Sequence, residues 1–169
     1  MDGRIERAVH TYVLQHPWIG DVAKVLTHLG DPLVIDVLTV LVALVLWLRR
    51  ERRLALFVIA TRLAALVVAE VVKLAVHRPR PVLPHPLAHA HGYSFPSGHA
   101  LGSAAFWGSI ALVGRAKSWS RPVAAAVAVT LPVLVAATRV LLGVHYLTDV
   151  VAGLVLGWAC AALVWRLTP

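Results

Sequence analysis

Three short polar clusters in this chain hold side chains equipped for phosphoryl transfer. The first, KLAVHRPRP, carries Lys73 and, after six intervening residues, the pair Arg80-Pro81. The second is Phe95-Pro96-Ser97-Gly98-His99, and the third runs from Thr138-Arg139 through His145 to Asp149. Lys73, Arg80 and Arg139 are cations, and nothing acidic lies near Arg80 or Arg139 in sequence. Their combined field suits a dianion, and an arginine fork matches phosphate oxygens bidentately. Ser97 reads as a helix N-cap, Gly98 allows close backbone approach, and the free N–H groups of a helix start bind anions. His145 and Asp149 are four residues apart and share a face if both are helical. A carboxylate accepting from one imidazole nitrogen leaves the other unprotonated, which is an oriented nucleophile. His99 comes from a different segment and is suited to protonating a leaving alcohol. Phosphate is the natural ligand, and the set needs no metal.

Such residues must be held by a scaffold, and the composition says of what kind. The 169 residues are 59% hydrophobic and only 14% charged, with a mean hydropathy of +0.78. A water-soluble domain of this size cannot hide that much apolar surface. The expected fold is therefore all-α, a polytopic transmembrane helical bundle. Five apolar segments are read as spans: Pro32–Leu48, Leu54–Val76, Gly98–Val113, Pro122–Leu142 with Pro132 as a kink, and Leu147–Trp165. Some are near the short end of the roughly 17–25 residues a span requires. Residues 1–31 lack a continuous apolar run of that length. They are expected to form an N-terminal amphipathic, interfacial helix over 4–15, with Ile5, Val9, Tyr12 and Val13 on one side, lying on the membrane surface or against the bundle. The whole of 1–169 reads as one membrane-embedded domain, with 1–31 interfacial and 32–169 the catalytic core.

The net charge of +8 is distributed, not pooled. Eight Lys/Arg lie at 49–53, 115–121 and 166, all on one side of five alternating spans, which the positive-inside rule assigns to the cytoplasm. Loop 77–97 and the turn at 143–147 then face outward, as do Arg4, Arg7 and Lys24, a mild conflict with the rule. This split argues against a nucleic-acid partner, because the basic residues do not form one patch. The single Cys160 lies in an apolar run and excludes an intramolecular disulfide.

Lys-x6-Arg-Pro, Pro-Ser-Gly-His and Arg-x5-His-x3-Asp resemble the three signature motifs of the type-2 phosphatidic acid phosphatase superfamily, which includes membrane lipid phosphatases and vanadium haloperoxidases. The resemblance covers residues 73–149, and the hydrophobic layout extends it from Trp18 to the C-terminus. It implies that His145 is the nucleophile forming a phosphohistidine, Asp149 its orienting partner and His99 the general acid. Lys73, Arg80, Ser97, Gly98 and Arg139 would be the phosphate-binding set, with water completing hydrolysis and no metal or organic cofactor. The third motif of the family usually begins Ser-Arg; here Thr138 keeps the hydroxyl. Membrane members commonly have six spans, against five read here.

Other residues have competing readings. Arg62 and Glu70, eight apart on one helical face, read as a structural pair, with Glu70 near Lys73 as the alternative. His85, His89 and His91 have spacing compatible with a metal, but no cysteine or local carboxylate supports one. Tyr93 and Phe95 either line the substrate entrance or pack at the interface. The expected function is hydrolysis of the phosphomonoester of a lipid phosphate, such as phosphatidate or phosphatidylglycerol phosphate, at the extracytoplasmic face of the cytoplasmic membrane. An undecaprenyl or other isoprenyl pyrophosphate is the alternative substrate. A protein that only binds or translocates anionic lipid is the alternative of another class, but it would not need His99 or the His145–Asp149 pair.

Overall fold

The computed structural model describes residues 2–168, which form seven α-helices and no strand. The helices are α1 (Asp2–Gln15), α2 (Pro17–Thr27), α3 (Pro32–Leu48), α4 (Arg52–Val76), α5 (Gly98–Ala116), α6 (Arg121–Leu141) and α7 (Leu147–Leu167). A single 3-10 turn, His28–Gly30, links α2 to α3. Each of the five apolar segments is a helix whose start and stop follow local chemistry. Pro32 opens α3 behind Asp31, whose carboxylate accepts from the Leu33 N–H at 2.9 Å. Ser97 caps α5, while α6 carries Pro122 in its first turn and continues through the buried Pro132.

By length and apolar composition, α4, α6 and α7 each suffice to cross a bilayer; Pro17–Gly30 with Pro32–Leu48, bent by 40°, makes a fourth candidate. The five-span expectation is thus met only in part. The helix that falls short is α5, rich in Gly98, His99, Gly102, Ser103, Gly108, Ser109 and Gly114. Its position explains its composition: α5 is the central helix, packed against α3, α4, α6 and α7, so other helices surround it where lipid would otherwise lie.

Small residues let the helices approach at backbone distance. A Cβ added to Gly153 would lie 2.7 Å from the Ser97 carbonyl oxygen, and one on Gly157 only 2.3 Å from that of Leu101. No side chain fits there, so α7 lies directly on α5. One hydrogen bond fixes the register at the site end, from the Ser97 N–H to the Asp149 carbonyl (3.0 Å).

The N-terminal segment holds more helix than the single amphipathic one expected over 4–15. It contains two helices, and α1 packs on α2, α6 and α7. Its buried positions are Glu6, His10 and Val13, with Val9 half-buried, whereas Tyr12 is 55% exposed. Specific polar contacts account for the rotation: His10 Nε2 bonds the Pro84 carbonyl at 2.7 Å, and Asp2 reaches Arg78 and Thr148.

Candidate active site

The three clusters meet where α5 and α7 begin and α6 ends. His145 lies in the turn between α6 and α7, ahead of the helix. That turn depends on Gly143, whose φ of +71° suits glycine and whose added Cβ would strike Leu83 at 2.6 Å. The expected pairing of His145 and Asp149 along one helical face is therefore corrected. Asp149 is in the first turn of α7 and reaches back, accepting from the Tyr146 N–H at 2.9 Å.

The hydrogen bonds of His145 fix its tautomer from both ends. Nδ1 lies 2.8 Å from the Ser94 carbonyl, which only accepts, so Nδ1 carries the proton. Nε2 lies 3.1 Å from Arg80 Nη1, which only donates, so Nε2 presents a lone pair. The carboxylate of Asp149 is 3.6 Å from Nδ1, an electrostatic neighbour and not a hydrogen-bond partner. Ser94 thus does part of the work expected of Asp149, and its hydroxyl donates to Asp149 Oδ2 at 2.5 Å. Burial holds the His145 imidazole below its ordinary pKa; Asp149 opposes the shift, and Arg80 and Arg139 add to it.

Among the described residues, Arg80 and Arg139 have no carboxylate within ion-pair distance. Arg80 donates through Nε to the Gly92 carbonyl (3.0 Å), through Nη2 to His91 (2.9 Å) and through Nη1 to Val144 (2.8 Å). These bonds tie both limbs of loop 77–97 to the His145 turn and leave the charge unneutralised. Arg139 is buried, donates to the Thr27 hydroxyl at 2.8 Å, and has an Nε with no partner among the described residues. The ionisable groups around His99 are Arg139, His145, Arg80 and His28. Ser97 is buried and caps α5, accepting from the Ala100 N–H at 3.5 Å. Gly98 opens that helix next to Lys73: a Cβ on Gly98 would lie 3.9 Å from Lys73 Nζ.

Lys73 is less free than the arginines, because Glu70 Oε1 accepts from it at 2.8 Å. Glu70 therefore does not pair with Arg62, which bonds Asp36 of α3 at 2.6 Å. Phe95 lines an apolar groove of about 680 Å³ between α4 and α7, with Val72, Leu147, Thr148 and Val151. Tyr93 stands apart from that groove, edge-on to the His77 ring at 4.5 Å. No three His, Cys, Asp or Glu side chains among the described residues are grouped to hold a metal ion.

Three residues outside the expected set hold this arrangement: Ser94, Thr27 and Arg78. Arg78 Nη1 donates to Asp149 Oδ1 at 2.7 Å. Sequence carried one hint of it, since a buried carboxylate needs a counter-charge and Arg78 is one of only two arginines in the loop.

The description of the PAP2 superfamily matches residues 53–169. Phosphatidylglycerophosphatase B of Bacillus subtilis (strain 168) is 32% identical over 149 residues, covering 86% of this chain and 73% of that protein. A decaprenylphosphoryl-5-phosphoribose phosphatase of Mycobacterium tuberculosis (strain ATCC 25618 / H37Rv) is 33% identical over 162 residues, covering 93% and 85%. Among solved structures, a transmembrane PAP2 type phosphatidylglycerolphosphate phosphatase from Bacillus subtilis superposes with a TM-score of 0.85 and 29% identity, over 98% of this chain and 83% of that one. LpxE of Aquifex aeolicus shares the fold, with a TM-score of 0.77 at 20% identity, over 96% and 93% of the two chains.

Proposed function

The chain belongs to the PAP2 superfamily of phosphatases, and from that premise we propose that it hydrolyses a membrane lipid phosphate through a phosphohistidine on His145. The observation that carries the reading is the tautomer of His145: Nδ1 donates to Ser94 while Nε2 faces Arg80 with its lone pair. A phosphoryl group held by Arg80 has its phosphorus beside that lone pair.

In the first step His145 Nε2 forms a bond to phosphorus as the phosphorus–oxygen bond to the lipid alcohol breaks. His99 gives a proton to the departing oxygen. Arg80, Arg139, Lys73, the Ser97 hydroxyl and the Gly98 N–H at the start of α5 neutralise the phosphoryl oxygens as charge develops on them. In the second step water attacks the phosphohistidine, its proton passes to His99, and the His145–phosphorus bond breaks to release inorganic phosphate. The protons balance over the two steps, and His145 returns to its starting tautomer. Asp149 stabilises the positive charge on the ring while it is phosphorylated.

A lipid substrate suits the placement of the site. The Phe95 groove runs along α4 and α7 from the level of Thr148, beside Asp149, toward Leu156, and accommodates a hydrocarbon chain whose head is at His145. Phosphatidate and phosphatidylglycerol phosphate are the favoured substrates, the latter because relatives named for that activity align over most of the chain. A polyprenyl-linked phosphate, including undecaprenyl pyrophosphate, is the second reading, favoured by the decaprenylphosphoryl-5-phosphoribose phosphatase relative. All five apolar helices are read as spans of the cytoplasmic membrane in one domain. The eight basic residues at 49–53, 115–121 and 166 lie inside, and loop 77–97 with the active site lies outside.

The test is phosphate release by the purified protein from phosphatidate, phosphatidylglycerol phosphate and undecaprenyl pyrophosphate in detergent. A hundredfold preference names the substrate class. Full turnover by His145→Ala on any of them would sink the mechanism.

A further inference from the structure

We infer that Arg78 is a positioning residue for the His145–Asp149 pair, anchored from the N-terminal helix by Asp2. The inference rests on the catalytic reading of His145 above.

Asp149 has no exposed side-chain surface, and a carboxylate so placed needs a partner of opposite charge or several donors. His145 is not that partner at rest: its Nδ1 proton goes to the Ser94 carbonyl, and Asp149 is 3.6 Å away. The carboxylate instead divides its two oxygens. Oδ2 accepts from the Ser94 hydroxyl and the Tyr146 N–H, on the side facing His145. Oδ1 accepts from Arg78 at 2.7 Å. Among the described residues, Arg78 is the only Lys or Arg within ion-pair distance of Asp149. It holds the carboxylate from the side away from the imidazole and leaves Oδ2 to answer the ring when phosphorylation makes it positive.

The guanidinium is itself fixed on every side. Nη1 also donates to the Thr148 hydroxyl at 2.6 Å, and Nη2 donates to Asp2 Oδ2 at 2.9 Å. The Tyr146 ring lies beneath it, 4.0 Å from the guanidinium carbon to the ring centroid. Asp2 Oδ2 accepts from Thr148 as well, closing a ring of polar contacts from α1 to the first turn of α7. Such a planar fork bridging two carboxylates is a geometry that lysine does not reproduce. The other charged or titratable groups facing this cluster are Glu6 of α1, with His145, Arg80 and Arg139 on the far side of Asp149. Arg78 faces the Asp2 cleft, whereas Arg80 faces Nε2, so the two arginines of HRPRP have different tasks. Asp2 lies outside the residues 53–169 that the superfamily description matches, so this anchor is contributed by the chain's own N-terminal helix.

The experiment compares Arg78→Ala, Arg78→Lys, Asp2→Asn and Arg80→Ala in the full-length detergent-solubilised protein. Steady-state hydrolysis of phosphatidate and competitive inhibition by inorganic phosphate are measured for each. Losing a charge-assisted hydrogen bond to a buried carboxylate is expected to lower the kcat of Arg78→Ala by about 10–100-fold. Its KM and its Ki for phosphate stay within about twofold, because Arg78 does not touch phosphate. Added methylguanidine restores part of the kcat, and Arg78→Lys restores less than arginine does. Asp2→Asn, a half-buried change that spares the site's own residues, lowers kcat by a few-fold and keeps the fold if Arg78→Ala does not.

Arg80→Ala raises the Ki for phosphate, which marks what a phosphate ligand looks like in the same assay. The inference is overturned if Arg78→Ala keeps kcat within twofold, or if its Ki for phosphate rises as in Arg80→Ala. Wild-type kcat in Asp2→Asn removes the role of α1. An active His145→Ala would instead refute the catalytic reading, whatever Arg78 does.

Discussion

Replacing Gly157 by alanine tests whether direct backbone contact between α5 and α7 sets the register of the site. The added Cβ would lie 2.3 Å from the Leu101 carbonyl oxygen, 2.7 Å from Ala104 Cβ and 2.9 Å from the Ala105 N–H. Two of these three neighbours are backbone atoms and cannot rotate aside. Ordinary contact begins near 3.4 Å, so the helices must separate locally by about 1 Å. Overpacking of this kind costs about 1–3 kcal/mol, and for a chain of this size 1 kcal/mol moves the melting temperature by roughly 2–4 °C. Gly157→Ala is therefore expected to melt roughly 2–12 °C below the wild type in the same detergent. Gly108→Ala is the control: its added Cβ meets only side chains, Ala161 Cβ at 3.3 Å and Trp158 at 3.4 Å, and its loss is expected to be much smaller. Activity should fall further than unfolding explains, since the same seam carries the Ser97–Asp149 bond, and misplacement by about 1 Å can cost on the order of 100-fold. A Gly157→Ala protein that melts within a degree of wild type, with unchanged kcat, would refute this packing argument.

Ser94→Ala removes the hydroxyl donor to Asp149 but keeps the carbonyl that fixes the His145 tautomer. Steady-state kinetics should show kcat lowered by roughly 10–100-fold with KM little changed. Because burial lowers the His145 pKa, its free-base form persists below pH 6.5, and the acid limb of kcat/KM should lie below that value. Glu6 is pushed up to about 7 by burial and by Asp149, so it is neutral in acid and becomes a buried charge as pH rises through 7. Any advantage of the neutral form is complete below its ordinary pKa of 4.5 and lost through neutrality. Glu6→Gln should accordingly raise the melting temperature at pH 8 and leave it nearly unchanged at pH 4.

Much of the architecture could be read from apolar length. Helix α3 has the same ends as its apolar segment, Pro32–Leu48, because a proline-led cap and a run of arginines bound it. The three clusters that carry Lys73, Arg80, Ser97, His99, Arg139 and His145 are legible as well, because each falls at the end of an apolar helix. What escaped depends on tertiary contact. Arg62 finds Asp36 on α3, a neighbour that no intrahelical spacing reveals. Ser94 and Thr27 are ordinary polar residues until the loop folds back and α2 packs on α6. His145 and Asp149 misled because the four-residue rule assumes a helix, and the helix begins at Leu147, after the histidine. Spacing puts Tyr12 on one side of α1 with Ile5, Val9 and Val13, whereas the polar partners of Asp2 and His10 turn the helix so that Tyr12 is exposed.

The most direct test of the central claim is a rapid-quench experiment with phosphatidate labelled with 32P, stopped in base and mapped by peptide mass spectrometry. The account predicts an acid-labile, base-stable phosphoryl group on His145, formed no later than release of the lipid alcohol and absent from His145→Ala. Label on another residue, or phosphate released at the wild-type rate by His145→Ala, would contradict it.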